Sequence, residues 1–192
     1  MRYPAERKEE TRKKILDTAA RRFRASGGSV GIADLMKELD LTHGGFYRHF
    51  DSKDQLFGES IGTALAEIRS IIHDALENAR QGHELRAVIE AYLSTRHCAD
   101  IAGGCPIAAL AGEISRSSRE VRKSMDRWIR EHLTHVADLL PGKTSDERRR
   151  NALVLFSGMS GTLAVARAIE QKALREQLLS DARKFYIEAF DA

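Results

Sequence analysis

One long helical pattern constrains the architecture of this chain more than any other sequence feature. Residues 52–55 form a capping box, in which the Ser52 side chain accepts the backbone N–H of Gln55 and the Gln55 side chain reaches back. Apolar residues then recur at the helical period as far as residue 79. Roughly 27 residues at about 1.5 Å each predict a rod about 40 Å long. Such a rod must connect a small N-terminal unit to a second body.

The rest of the chain is patterned for helices as well. Only three prolines occur among 192 residues, and the glycines mostly separate stretches of helical periodicity. We therefore predict an all-α fold with nine helices and no strand. Residues 1–52 are predicted to form a three-helix helix-turn-helix domain. Residues 53–192 are predicted to form a second helical domain, in which helix 53–79 is the connector.

Charge and cysteine content narrow the class of protein. The net charge is +3, and residues 1–50 carry 11 Lys and Arg against 7 Asp and Glu. This excess is a mild indication that the N-terminal part faces a polyanion. The two cysteines, Cys98 and Cys105, are too few for a disulfide scaffold and lack zinc-site spacing. Because no apolar run approaches 18 residues and no signal-peptide core is present, we expect a cytoplasmic protein without membrane, metal or cofactor.

The segment from residue 32 to residue 57 has the pattern of a DNA-binding element. Thr42 is a fair N-cap for a helix that ends near Phe50. Phe46 and Phe50, four residues apart, should pack inward and anchor this helix from behind. The residues then presented to solvent are His43, Gly44, Tyr47 and Arg48. Tyr47 could bond a phosphate, while His43 and Arg48 could reach base edges or phosphates in a major groove.

Two further features favour DNA over a plain solvated helix. Gly44 and Gly45 are adjacent, although glycine costs about 1 kcal/mol per position inside a helix. The pair makes sense if the backbone must approach another surface closely. Lys53 lies at a helix N-terminus, where free N–H groups favour an anion such as phosphate.

These residues resemble the helix-turn-helix motif of the TetR family of bacterial transcriptional repressors. The family pattern is much like L-T-x-G-x-F/L-Y-x-H-F-x-S-K-x-x-L, and the match covers roughly residues 11–60. The matching residues are Leu41, Thr42, Gly44, Phe46, Tyr47, His49, Phe50, Ser52, Lys53 and Leu56. The resemblance implies DNA contacts at Thr42, His43, Gly44, Gly45, Tyr47, His49 and Lys53.

The resemblance also implies a homodimer that binds a DNA operator and is released when a small molecule tilts the connector. The last two long helices would form the dimer interface. Its expected residues are Gly158, Gly161, Ala164, Phe185 and Tyr186. The chain departs from the family at Val30 and Gly31, where Ser or Thr usually caps the second helix, so we expect Ser29 to cap it instead. It also departs at Ala33, where a base-reading side chain is common.

The second half of the chain holds candidates for a ligand pocket. Aromatic and soft apolar residues with a few polar ones typically line small-molecule sites. The candidates are Tyr92, His97, Trp128, His132, Phe156 and Met159. Plain core packing is the simpler interpretation of each. Cys105 joins them because a thiol at a helix start is favoured as thiolate, which suggests a sensor of oxidants or electrophiles with Cys98 as its partner.

Other functions remain open beside a ligand-responsive repressor. One is an architectural DNA-binding factor without a small ligand, and another is the thiol-based sensor. An enzyme is disfavoured because the chain has no metal motif such as H-E-x-x-H, no G-x-S-x-G and no phosphate loop. We therefore expect no catalytic residue. The effector, the operator and the choice between repression and activation are not encoded in these patterns.

Overall fold

Ten helices and no strand make up residues 5–190, which a computed structural model describes apart from the side chains of residue 5 and residues 132–135. The predicted all-α fold is confirmed. The helices are α1 (Ala5–Ser26), α2 (Ile32–Glu38), α3 (His43–Phe46), α4 (Lys53–Glu77), α5 (Glu84–Tyr92), α6 (Thr95–Ala99), α7 (Pro106–Arg116), α8 (Arg119–Ala137), α9 (Ser145–Ala168) and α10 (Lys172–Phe190). The extra helix relative to the prediction is α6, a single turn that Ser94 caps by accepting the His97 N–H at 3.1 Å.

The connector is α4, which has 25 residues and is about 37 Å long. It begins where the capping box predicts, and the Ser52 hydroxyl accepts the Gln55 N–H at 3.1 Å. The second half of the predicted box is wrong in detail, because the Gln55 side chain accepts the N–H of Asp51 at 2.7 Å rather than that of Ser52. The effect is the same, since a free backbone donor ahead of the helix is satisfied.

A first apolar core joins α1, α2, α3 and the first half of α4. Phe23 and Phe57 meet edge to face across α1 and α4, with ring centroids 5.1 Å apart. The same core also takes in Leu110 of α7 and Val121 of α8, so these later helices pack against the N-terminal unit. The boundary at residue 52/53 therefore stays a prediction, because apolar contacts run across it.

A second apolar core lies among the far half of α4, α5, α9 and α10. Its centre is formed by the fully buried Ile89, Leu93, Leu155 and Leu163. Ile107 at the start of α7 packs against both cores. No helix in residues 5–190 is both long and apolar enough to cross a membrane.

Candidate nucleic-acid interface

The turn between α2 and α3 orients the candidate reading helix. Asp40 adopts a left-handed backbone conformation with φ of 54°, which Asp tolerates better than most residues. The N–H of Leu41 then returns to the carbonyl of Met36 at 2.8 Å and closes the end of α2. At the other end, Gly31 is the N-cap of α2, and no side chain caps the helix. The expected Ser29 cap is wrong, since the Ser29 hydroxyl donates to the carbonyl of Ser26 at 3.3 Å.

The reading helix is a single turn. Thr42 is its N-cap, as predicted, and its hydroxyl accepts the Gly45 N–H at 3.3 Å. The helix ends at Phe46, earlier than the predicted end near Phe50, because residues 47–49 continue as a tight turn. The N–H of His49 bonds the carbonyl of Phe46 at 2.9 Å in that turn. The segment therefore stays wound as far as Phe50, although only part of it is α-helical.

Two phenylalanines hold this segment from behind, as predicted. Phe46 is 0% and Phe50 1% exposed, and their rings stack with centroids 5.6 Å apart. Leu35 of α2 lies in the same buried cluster, with Leu39 and Leu41 packed against it. Burying such rings stabilises a fold by about 1.5–3 kcal/mol each. The position of the outer face is thus determined by packing on the inner face.

The outer face carries most of the predicted DNA contacts. Thr42, His43, Gly44, Tyr47 and Arg48 are all exposed, and Tyr47 keeps 58% of its surface open to solvent. The rings of His43 and Tyr47 stand edge to face at 5.9 Å. An exposed tyrosine beside a histidine and an arginine offers a hydroxyl donor, a ring face and a positive charge on one surface. These groups suit phosphates and base edges.

The two glycines of this face differ. A Cβ added to Gly44 would meet no atom of the described residues within 4 Å, whereas one added to Gly45 would meet the Thr42 hydroxyl oxygen at 3.4 Å. Packing within the chain therefore does not require a glycine at position 44. Close approach of an outside surface supplies a reason for it.

His49 and Lys53 are only half-exposed, unlike the residues around Tyr47. His49 Nδ1 is buried and has no hydrogen-bond partner in the part of the chain that the structure describes. Burial, followed by the nearby positive charges of Lys8, Arg12 and Arg48, lowers the pKa of His49. A neutral imidazole in this place is a weaker phosphate ligand than a cation. The predicted DNA contacts of His49 and Lys53 stay predictions.

Two residues of α1 share a groove with the reading segment, and the candidate site drawn from the sequence did not include them. Lys8 and Thr11 line a groove of about 780 Å³ together with Gly44, Arg48 and His49. The only sequence signal was the basic run at the start of the chain. It could not be assigned to this groove because the packing angle of α1 is a tertiary property.

The ligand-pocket candidates divide into two groups in the structure. Tyr92, Trp128, Phe156 and Met159 line one apolar cavity of about 20 Å³ between α4, α5, α8 and α9. The rings of Trp128 and Phe156 lie 5.8 Å apart. A cavity of this size has room for about one water molecule. The side chain of His132 lies outside the described part of the chain.

His97 and Cys105 do not line that cavity. The N–H of Cys105 donates to His97 Nε2 at 3.0 Å, and His97 Nδ1 lies 2.6 Å from the carbonyl of Tyr92. Because a backbone N–H can only donate, Nε2 is the acceptor and the proton sits on Nδ1. Both cysteines are free and buried, with Cys105 0% and Cys98 5% exposed. Burial raises the pKa of the neighbouring Tyr92 hydroxyl, which lies 2.9 Å from the Ser160 hydroxyl.

Comparison with known proteins agrees with this geometry. Residues 15–59 match the family model of the bacterial regulatory proteins of the tetR family. A TetR transcriptional regulator from Chloroflexus aurantiacus is 25% identical, with a TM-score of 0.76 over 95% of this chain and 96% of the other.

Two further solved structures share the fold. A TetR-family transcriptional regulator from Cytophaga hutchinsonii is 17% identical, with a TM-score of 0.77 over 96% of each chain. The reduced form of NemR from E. coli is 20% identical, with a TM-score of 0.73 over 91% of this chain and 96% of the other. The similarity therefore extends over both cores and is not confined to the matched residues 15–59.

Proposed function

This chain belongs to the TetR family of DNA-binding transcriptional regulators, and on that premise we propose that it is a ligand-responsive repressor. In this proposal a homodimer binds a palindromic operator in the cytoplasm, and a small molecule releases it. The observation that carries the DNA-binding role is the exposed face of Thr42, His43, Gly44, Tyr47 and Arg48, anchored by buried phenylalanines. We propose no catalytic role for these residues.

The DNA-bound arrangement follows from the shape of this face. The wound segment from Thr42 to Phe50 enters the major groove with Tyr47 and His43 leading. Arg48, with Lys8 across the groove on α1, faces the phosphates beside it. Neutralised phosphates release counterions, so operator affinity should fall steeply as salt concentration rises.

Exposed apolar residues on α9 and α10 support the homodimer. Large apolar side chains left open to water on two neighbouring helices are typical of a protein–protein interface. They are Leu153, Val154, Val165, Leu174 and Phe185. Of the predicted interface residues, Gly161 faces open space and Phe185 is 64% exposed, so both are free to meet a partner.

The other predicted interface residues also have roles within the chain. A Cβ on Gly158 would clash with the Tyr186 ring, so this glycine lets α10 approach α9. The Tyr186 hydroxyl lies 3.4 Å from that of Thr162. Ala164 is half-buried beside them. We propose that the same close approach shapes the surface offered to the second subunit.

The release step requires the apolar cavity to open. Drug-sized ligands occupy roughly 300–1,000 Å³, far more than the cavity beside Tyr92 and Trp128 provides. Entry of a ligand must therefore separate α8 or α9 from α4. Because α4 begins directly after the reading segment, such a movement changes the spacing of two reading heads on the DNA.

Selection from a pool of random duplexes tests the proposal without knowledge of the operator. We expect enrichment of an inverted repeat whose half-sites are whole helical turns apart, about 34–36 Å per turn. Two chains should bind each duplex in analytical ultracentrifugation. Retention of all sequences equally well would contradict a specific operator, and one chain per enriched duplex would contradict the homodimer.

A further inference from the structure

Two arginines that reach into the interior of this protein, Arg24 and Arg167, differ in their electrostatic surroundings. The Arg24 side chain on α1 is fully buried and pairs with the carboxylate of Glu67 at 2.5 Å. Arg167 near the end of α9 is partly buried, yet no carboxylate pairs with it among the described residues. Its hydrogen bonds go to the carbonyls of His97, Cys98 and Asp100 at 3.1–3.3 Å.

The hydrogen bonds of Arg167 therefore end on carbonyl groups rather than on a carboxylate. Burial lowers the pKa of this guanidinium, although the nearby charge of Asp100 opposes the shift. Its Nη1 is also buried and has no hydrogen-bond acceptor among the described residues.

A cleft of suitable size and charge lies beside Arg167. It has a volume of about 410 Å³ and separates α6 from the end of α9 and the start of α10. Arg167, Lys172 and Arg175 line it with three positive charges, against the single carboxylate of Glu176. Thr95 of α6 adds a hydroxyl. The floor is apolar and is formed by Cys98, Ala99, Ile101 and Leu179.

The placement of Lys172 and Arg175 is unfavourable without an anion. Both lie in the first turns of α10, where the helix dipole disfavours positive side chains, and no acidic residue occupies the first turn. The Arg175 guanidinium donates to the carbonyl of Ile169 at 3.3 Å. The Lys172 ammonium reaches Glu176 only at 3.8 Å, with both side chains largely exposed. These partners leave the cleft with a clear positive excess.

We propose that this cleft binds a small organic anion, with its carboxylate or phosphate group at Arg167, Lys172 and Arg175 and its apolar body against Ala99 and Ile101. Arginine is suited to both groups because its planar fork presents paired donors to two oxygens. The anion balances the excess of positive charge among the described residues that line the cleft. The site is separate from the apolar cavity beside Trp128, since the two share no lining residue.

The proposed dimer interface does not cover this cleft. With 3.6 residues per helical turn, Lys172, Arg175 and Leu179 lie roughly 80–160° around α10 from Leu174 and Phe185. Leu174 and Phe185 are exposed, whereas Leu179 is fully buried toward the body of the chain. The cleft would therefore stay accessible in a dimer formed through the outer face of α10.

Binding in the cleft can affect α1, and through it the reading segment, by way of residues 97–105. Arg167 holds the carbonyls at the start of this segment. At its end, the Gly104 carbonyl accepts a hydrogen bond from Arg24 of α1 at 3.2 Å. A Cβ on Gly104 would collide with Arg167 and the Asp100 carbonyl, so the two ends touch. This coupling, which rests on the proposed function, makes the anion an effector of DNA binding.

Calorimetry on the whole protein without DNA tests the site itself. The probes are benzoate, phenyl phosphate and benzamide, which share a ring and differ in charge. We expect both anions to bind and neutral benzamide to bind at least about tenfold more weakly, because it lacks the charge. Equal affinity for benzamide and benzoate would overturn the anion site.

A charge-matched pair of variants locates the binding. Lys172→Gln combined with Arg175→Gln should weaken benzoate binding by about tenfold or more. Lys143→Gln combined with Lys184→Gln removes the same charge from exposed positions outside the cleft and should bind as the parent does. Loss of binding in both variants would indicate a nonspecific charge effect, and unchanged binding in the first would contradict this location.

A selected operator duplex then tests the coupling. Benzoate should weaken operator binding by the parent but not by the Lys172→Gln, Arg175→Gln variant. Arg24→Met should still bind benzoate while its operator affinity no longer responds, and Arg24→Lys serves if the first variant does not fold. Benzoate binding with no effect on operator affinity would refute the coupling. If no duplex is bound specifically, the proposed function fails, whereas the calorimetric result on the site stands by itself.

Discussion

The reading segment and the apolar cavity are built in opposite ways. Around Tyr47 the functional side chains stand exposed on a surface that Phe46 and Phe50 hold rigidly from inside. Around Trp128 and Phe156 the candidate side chains face each other across a cavity of about 20 Å³. The contrast teaches that packing already holds the surface proposed to meet DNA in place, whereas the cavity proposed to admit a ligand is too small to do so without rearrangement.

The largest expected effect concerns the anchor of the reading segment. Phe46→Ala should reduce the free energy of unfolding by about 3–5 kcal/mol, because it leaves a cavity in a fully buried cluster. Phe156→Ala, the same change at a half-buried ring beside the apolar cavity, should cost less. Urea denaturation of both variants measures the difference. Equal losses would mean that the two regions are packed alike.

On the exposed face, a substitution should weaken operator binding while leaving the stability of the fold nearly unchanged. Tyr47→Ala should weaken operator binding more than about tenfold, equivalent to roughly 1.4 kcal/mol, because the ring and hydroxyl meet the DNA. Its unfolding free energy should change by no more than about 0.5 kcal/mol, since the side chain is largely in solvent. Gel-shift titration and urea denaturation provide the two values. Parental affinity in the variant would remove Tyr47 from the interface.

The buried imidazole of His97 should make the stability of the fold depend on pH. Burial is the main cause that lowers the pKa of His97 below its ordinary value of 6.5; Arg167 lowers it further, while the Tyr92 carbonyl and Asp100 oppose the shift. Below pH 6.5 the unfolded chain therefore binds a proton that the folded chain resists. Stability is full above this pH and falls as pH drops toward the lower folded pKa.

His97→Gln should flatten this dependence by up to about 1.4 kcal/mol per pH unit, while the exposed His83→Gln should not. Thermal or urea unfolding of the three proteins between pH 7.5 and 5.5 measures the slopes. Because burial also lowers the pKa of His49, some dependence should persist in the variant. An unaltered slope would exclude His97 as a source.

The smallest expected effect is that of replacing Gly44. Comparison with Gly62 tests whether the glycine at position 44 serves DNA binding. Gly44→Ala should stabilise the protein by about 0.4–1 kcal/mol, because the added methyl meets no atom and the unfolded chain loses freedom. It should nevertheless weaken operator binding. Gly62→Ala on α4, where a Cβ also meets nothing, should stabilise similarly and leave operator binding unchanged. Equal operator affinity in Gly44→Ala and in the parent protein would show that DNA does not approach Gly44 closely.

Local signals in the sequence predicted the segment from Thr42 to the start of α4 well. The Thr42 cap, the Phe46 and Phe50 anchors and the start of α4 all depend on residues within four positions of each other, and all are confirmed. Prediction failed where two local options compete. Ser29 bonds back to Ser26 instead of capping α2, and the reading helix gives way to a tight turn after Phe46.

The candidate sites in the second half depended on contacts between distant residues. His97 and Cys105 were grouped with Trp128 by residue type, yet they bond each other and the Tyr92 carbonyl and do not line the cavity. No periodic pattern could reveal that Arg167 reaches carbonyls about seventy positions earlier in the chain. The cleft beside Arg167 therefore had no counterpart in the sequence prediction.

The sequence by itself determined that the chain is helical, where its connector begins and which face of the reading segment is buried, because capping and periodicity act over one or two helical turns. Tertiary structure decided which buried charges are neutralised and how much space remains between helices. Those properties depend on how α1, α6, α9 and α10 approach one another. Arg24 finds Glu67 at 2.5 Å through that packing, whereas Arg167 is left facing a cleft without a carboxylate partner among the described residues.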